Sequence, residues 1–387
     1  MMGTNRRNIA LLFAAAFLQG MVFYSPVATL YRFSCGLSLT EVGLIESVSL
    51  GTMLALELPW GRWADALGHR RTIVLCSFLF ALSKVVFWRA ETFAGFLAER
   101  LLLAVCLSGL SGCDSAFLFL CCRGEEHRRV FARWEAVQTA GMLFSALCWP
   151  LMGGDYRRSA ALTVLSYTAA ALLTLALREP EGERAEEQRR DPSPAPAALL
   201  RGTAPLIPFL VAFCLFDQTC QMGVVFLSQL QYRRTGIPEE AFGALSAVVT
   251  AAGLTGGLAH RLTRRRSPEE CCAALAAAGC GACLLLWGTA RPWTAGAAVA
   301  LLQGLRSCAA PLALSVQNER AAPGGRAARL SCNAMVIDLG AMALQPAFGA
   351  AGDRGVEQGF LLGAACCVGA ALFFLWESRR SRRTRKD

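Results

Sequence analysis

Twelve apolar runs of about 20 residues each, separated by short polar or basic stretches, leave this 387-residue chain few choices of fold. Their approximate limits are 8–30, 41–60, 72–90, 94–119, 131–152, 159–177, 204–230, 241–259, 270–288, 293–317, 330–351 and 358–376. Crossing ~30 Å of hydrocarbon takes about 20 residues as a helix. Only helices and closed barrels satisfy their backbone polar groups there. Strand-like alternation is absent, which argues against a barrel. Composition agrees: 55% of residues are hydrophobic and 17% charged, with a mean hydropathy of +0.42, far from an ordinary soluble domain. The chain therefore reads as an all-α membrane protein with twelve transmembrane helices.

The basic residues orient it. With the N-terminus inside, 27 Arg and Lys fall in cytoplasmic segments and eight in outward loops (Arg32, Arg89, Arg157, Arg158, Arg233, Arg234, Arg291 and Arg354). That bias predicts a multi-pass protein of the plasma membrane, the inner membrane in a Gram-negative cell, with both termini cytoplasmic. The net charge of +10 is then a topology signal and implies no nucleic-acid partner. Arg6, Arg7 and the alanines at 14–16 resemble a signal peptide, but the apolar run continues to Leu30, so a retained first helix is expected. The partners expected are the lipid bilayer and a small molecule, on a monomer.

Most of the 17 cysteines fall inside apolar runs, and Cys280-x-x-Cys283 lacks a second pair or a nearby histidine. They read as small buried hydrophobes. With no H-E-x-x-H, G-x-S-x-G or phosphate-binding loop in the sequence, no metal, cofactor or enzymatic activity is expected.

Residues 178–203 are rich in charge, proline and alanine, as in a flexible linker. They divide the chain into a six-helix bundle over 1–177 and a second over 204–376, followed by a basic tail over 377–387. The halves echo one another. Gly36 and Gly43 find Gly236 and Gly243 at an offset of 200. Gly256, His260 and Arg265 stand in the second half where Gly61, Asp65 and Arg70 stand in the first, at an offset of 195.

Between the second and third runs lies G-x-x-x-D-x-x-G-x-R-R: Gly61, Asp65, Gly68, Arg70 and Arg71. A helix leaving the bilayer and re-entering within about ten residues needs glycine for a tight turn and arginine to hold the loop at the cytoplasmic face. This motif, with LIESVSLGTMLALELPWGRWAD, SGCDSA and PLALSVQNERAAPGGRAARLSCNAM, resembles the major facilitator superfamily, and within it bacterial drug-efflux permeases. The resemblance implies two six-helix pseudo-repeats around a midplane site. It also implies a signature loop that biases one of two conformations. Ala66 stands where a basic residue usually follows the Asp, and His69 where Arg is common. Asp65→Asn is expected to impair transport and leave insertion intact, because a single exposed charge contributes little folding energy. Normal flux through that variant in proteoliposomes would remove the loop from the mechanism.

Charges inside hydrocarbon are costly and mark candidate functional sites. This chain has Glu46, Glu57, Lys84, Glu99, Arg100, Asp114, Asp217, Arg306 and Asp338 in its runs. The resemblance implies a cavity lined by the first, fourth, seventh and tenth spans, which favours Arg100, Asp114, Asp217 and Arg306. Spacing supports the choice: Arg100, Leu107 and Asp114 recur every seven residues on one helix face, and Asp217 and Gln221 are i, i+4 neighbours with Gln218 on the flank. Gln19 adds an amide in the first span. An acid in a partly dry cavity is suited to exchange a proton, so protons are the expected coupling ion. Lys84 is expected to neutralise Glu46 or to snorkel. Arg306 either pairs with Asp338 or serves the cavity.

The fifth run ends in Pro150, Gly153 and Gly154, matching part of a motif associated with facilitator antiporters, whose earlier glycines are Ser145 and Trp149 here. Those residues read equally as an antiporter-like kink or as a helix terminator. The leading expectation is proton-coupled efflux of a small amphipathic or cationic compound by alternating access. Uptake of a nutrient or peptide-like metabolite is the alternative, and a non-transporting scaffold or sensor the third. A scaffold would tolerate loss of both Asp114 and Asp217.

Overall fold

The computed structural model describes residues 2–122, 127–180, 202–263, 266–320 and 326–384, and every regular element among them is a helix. The first run forms α1 (Met2–Gly20), a 3-10 turn at Ser25–Val27 with Pro26 in its first turn, and α2 (Ala28–Ser34). Next come α3 (Leu39–Leu67), α4 (His69–Arg89), α5 (Phe93–Leu110), α6 (Cys113–Cys121), α7 (His127–Leu147) and α8 (Tyr156–Leu175). In the second half lie α9 (Ile207–Gln221), a π-helical segment Met222–Leu227, α10 (Ser228–Arg234) and α11 (Phe242–Gly253). The last elements are α12 (Ala259–Leu262), α13 (Pro268–Gly288), α14 (Pro292–Arg320), α15 (Arg326–Asp353) and α16 (Val356–Thr384).

Ten stretches among the described residues are long and apolar enough to cross a membrane. The other two of the twelve runs are helical but less apolar or less regular. Arg129, Arg133 and Glu135 crowd the first turns of α7. Gly253, Gly256 and Gly257 interrupt the run from Phe242 to Leu262 with a 3-10 turn, as backbone without side chains permits.

The signature motif is not the loop of about ten residues that its spacing predicts. Helix α3 continues through Leu67 and α4 begins at His69, so Gly68 alone makes the turn, with φ at 84°. A glycine in the left-handed region ends a helix in one residue, its N–H returning to the last turn. Here that bond runs from Gly68 to the Ala64 carbonyl at 2.9 Å. Gly61 and Asp65 stand on the closing turns of α3, and the Asp65 side chain lies outside the described residues. Arg70 Nε donates to the Leu177 carbonyl at 2.6 Å and its Nη2 to Leu175 at 3.4 Å. It thereby satisfies carbonyls that α8 leaves open at its end. Arg71 is exposed.

The chain forms two compact units. The first takes residues 1–37, 48–189 and 239–247; the second takes 38–47, 190–238 and 248–387. Of the linker expected over 178–203, residues 181–201 lie outside the described set. Within the first unit α1 packs on α7 and α8, and α4 on α5 and α8. Within the second, α16 packs on α13 and α9, and α9 on α15. The tail expected from residue 377 continues as helix to Thr384. Its first residue, Glu377, is buried and receives Arg320 at 2.8 Å, while the same guanidinium reaches Glu269 at 2.8 Å.

The internal repeat extends to hydrogen bonds. Gly36 and Gly236 both have positive φ, 85° and 78°. Each donates to the carbonyl three residues back, and the following residue reaches five back: Leu37 to Arg32 and Ile237 to Tyr232. That is the same left-handed helix ending twice, at an offset of 200. Gly43 and Gly243 repeat as well: a Cβ at either would run into a neighbouring helix's carbonyl, Gln345 and Ala146 respectively.

Helix α13 opens with a capping box: Ser267 Oγ accepts from the Glu270 N–H at 3.3 Å, and Glu270 Oε2 accepts from the Ser267 N–H at 3.2 Å. Ser267→Ala is expected to cost about 1 kcal/mol. A thermal unfolding midpoint unchanged from wild type would contradict that role.

Candidate functional site

In the second unit the site grows from one face of α9. Asp217 accepts two hydrogen bonds from Arg306 on α14, Nε to Oδ1 at 2.8 Å and Nη2 to Oδ2 at 3.4 Å. This two-point fork is the strong geometry for a guanidinium and a carboxylate. The pair is not sealed off: the Arg306 side chain keeps 33% of its surface exposed and Asp217 14%. Both were expected to serve the cavity, with Asp338 as another partner for Arg306; the guanidinium goes to Asp217, and Asp338 has an interaction of its own. The π-helical segment that follows Gln221 inserts a wider turn just beyond this pair, a departure often found at functional sites.

Next to Asp217, buried Gln218 accepts from Gln345 Nε2 on α15 at 3.4 Å. The Gln345 Oε1, also buried, has no hydrogen-bond partner among the described residues. Pro346 follows Gln345 inside α15. A proline cannot donate to the carbonyl four residues back, and the carbonyl so released, on Met342, accepts from Ser47 Oγ at 2.7 Å. Gln221, one turn beyond Asp217, is partly exposed, and its side chain makes no hydrogen bond among the described residues.

The first unit holds a different arrangement. Glu99 on α5, 1% exposed, has three cations around it: Lys84 at 3.6 Å, Arg100 at 3.7 Å and Arg32 at 3.9 Å. Lys84 donates to the Tyr24 hydroxyl at 3.2 Å and lies over the Phe80 and Tyr167 rings. Lys84 neither snorkels nor needs Glu46. Its amine stays buried because a carboxylate, a hydroxyl and aromatic faces replace water. Arg32, counted from sequence as an outward-loop residue, is buried on α2. The first span's helix continues to Ser34, and that carries the arginine inward.

Arg100 and Asp114 do not share a continuous helix face. The helix ends at Leu110, and Gly112, with φ at 83°, caps a new one from Cys113. A left-handed glycine resets the register, so the seven-residue spacing no longer aligns the two charges. Asp114 Oδ1 instead accepts from the Ser115 N–H in the first turn of α6. Gln19 contributes its backbone carbonyl to the Tyr167 hydroxyl at 2.6 Å and keeps its side chain half-buried. Pro150, Gly153 and Gly154 do not kink a helix: α7 stops at Leu147, a 3-10 turn covers Trp149–Met152, and both glycines take positive φ before α8. They are a terminator.

Two residues that matter were not legible as site residues. Neither Gln345, inside the eleventh run ahead of a proline, nor Asn8, at the start of the first run, was singled out from sequence. Asn8 is fully buried, and its side chain holds the backbone of Arg178 through both N–H and C=O.

The sequence profile of the Major Facilitator Superfamily matches residues 9–341. No curated protein matches the chain. Among solved structures, the chain is similar to a bacterial homologue of the human lysosomal transporter Spinster at 16% identity, with 97% of each chain covered and a TM-score of 0.74. It is also similar to the nucleoside transporter NupG at 15% identity, covering 96% of this chain and 98% of that one at a TM-score of 0.78. A D-xylose-proton symporter aligns at 12% identity over 96% of both chains, with a TM-score of 0.72. Identities this low speak for the fold. With the family profile spanning most of the sequence, an all-helical multi-pass structure and an intramembrane ion pair between α9 and α14, this chain belongs to the major facilitator superfamily.

Proposed function

We propose that the chain is a proton-coupled secondary active transporter of a small molecule, working by alternating access with both termini in the cytoplasm. The observation that carries this reading is the Asp217–Arg306 pair. It is a half-buried, solvent-reachable carboxylate whose partner sits on another helix. A proton delivered to Asp217 removes the charge that holds the fork together, so protonation and the placement of α9 against α14 become linked. Asp114, at the break between α5 and α6, and Arg100 and Gln19 line the corresponding part of the first unit in this reading.

Efflux, driven by protons entering, is the direction that the resemblance to drug-efflux permeases implies. The terminator at Pro150–Gly154 gives it no separate support. Uptake is the second reading, favoured by the similarity to a transporter of nucleosides and to a D-xylose-proton symporter. Proteoliposomes with an imposed pH gradient, loaded in turn with uridine, D-xylose and tetraethylammonium, separate the two by the sign of solute movement. A carrier accumulates a solute in one compartment and loses the effect with a protonophore. Solute movement indifferent to the gradient would contradict the coupling.

A further inference from the structure

Two of the intramembrane acids flagged from sequence are already paired with cations. Asp217 is committed to Arg306, and Glu99 is shared by Lys84, Arg100 and Arg32. Asp114 accepts from the Ser115 N–H in the first turn of α6 and keeps its charge, in the first unit. Glu46, Glu57 and Asp338 each have an interaction of their own. A permanently charged cation beside Asp217 would also meet the Arg306 guanidinium. An anion beside Arg306 would meet Asp217. The pair is locally neutral, so it favours neither sign of charge.

Hydrogen-bonding capacity, by contrast, is left over. The Gln345 Oε1 is buried without a donor, and a buried acceptor without a partner is costly. The Gln221 amide is partly exposed with both its donor and acceptor ends available among the described residues. Both stand next to Asp217: Gln221 one turn along α9, and Gln345 through its bond to Gln218. A ligand that completes these groups brings hydroxyl or amide functions and no net charge.

We infer that the solute is an uncharged molecule rich in hydrogen-bonding groups, recognised in the second unit by the amides of Gln345 and Gln221 beside the Asp217–Arg306 pair. This rests on the transporter reading above. It changes the substrate class from the amphipathic or cationic compound that the resemblance implies to a polyhydroxylated or amide-bearing one. Gln218 orients Gln345, and the ion pair excludes charged competitors.

The test uses full-length protein in proteoliposomes with three probes: uridine, D-xylose and tetraethylammonium. Wild type should move uridine or D-xylose well above protein-free vesicles and leave tetraethylammonium behind. Gln345→Leu and Gln221→Leu should each lower that flux about tenfold, the value of one lost hydrogen bond, while Gln345→Asn recovers part of it. Melting midpoints in detergent separate a misfolded variant from a binding defect, and Gln221→Leu, at a partly exposed position, keeps the test open if Gln345→Leu fails to fold. Movement of tetraethylammonium alone would overturn the uncharged-solute inference and leave the transporter reading standing. Unchanged uridine or D-xylose flux in both leucine variants, folded, would overturn the role of the amides. Movement of none of the three by wild type would count against both the inference and the transport function.

Discussion

Asp217→Asn will abolish proton-driven accumulation while preserving exchange and downhill flux. Asparagine, like the protonated acid, carries no charge to hold Arg306 in the two bonds now at 2.8 and 3.4 Å, so the carrier can still rearrange with solute bound. What is lost is the ability to gain and release a proton, and with it the switch between a held and a released guanidinium. Gradient-driven flux is expected to fall by about two orders of magnitude, because an uncoupled conformational equilibrium needs only a few kcal/mol of bias removed. Asp114→Asn should give the milder defect. Its oxygen accepts from a backbone N–H in its own first turn, and an amide oxygen can replace it there. Counterflow and pH-driven uptake, compared in the same vesicles, check both. Full gradient-driven accumulation by Asp217→Asn together with its loss in Asp114→Asn would reverse the assignment.

Glu99→Gln will be the most destabilising of the single substitutions considered. Glu99 is 1% exposed, with two of its cationic neighbours, Arg32 and Lys84, also buried. Removing its charge leaves those cations without their shared counter-charge, and breaking a buried ion pair by deleting one partner costs about 3–5 kcal/mol. Lys84→Met should cost less. The carboxylate keeps Arg32 and Arg100, and the methionine packs among Phe80, Tyr24 and Tyr167, where the lysine now lies. Thermal unfolding in detergent measures the order, and a Glu99→Gln midpoint equal to wild type would refute the account of the cluster.

The spans and the family were legible because each depends on properties carried by one stretch of chain: apolar length, and the spacing of Gly68 and Arg70. The repeat was legible for the same reason, and Gly36 and Gly236 share one turn geometry as well as one offset. Partners were not. Periodicity places Asp217 and Gln221 on one face of α9 but cannot say that Arg306 meets the first and Gln345 the flank. Depth arguments put Lys84 level with Glu46. They could not see that α2 brings buried Arg32 and that α5 brings Glu99 to the same point. The seven-residue register from Arg100 to Asp114 failed because Gly112 is permissive toward helix and toward a left-handed turn alike, and only packing decides between them.

The central claim is that Asp217 is the group that takes the proton. Infrared difference spectroscopy of the purified protein, recorded as the pH is lowered, observes that event without requiring a solute. The account predicts that one component of the carboxylic-acid carbonyl absorption that grows on acidification persists in Asp114→Asn and is missing in Asp217→Asn. That component at undiminished intensity in Asp217→Asn would show that the proton goes elsewhere, and would contradict the account.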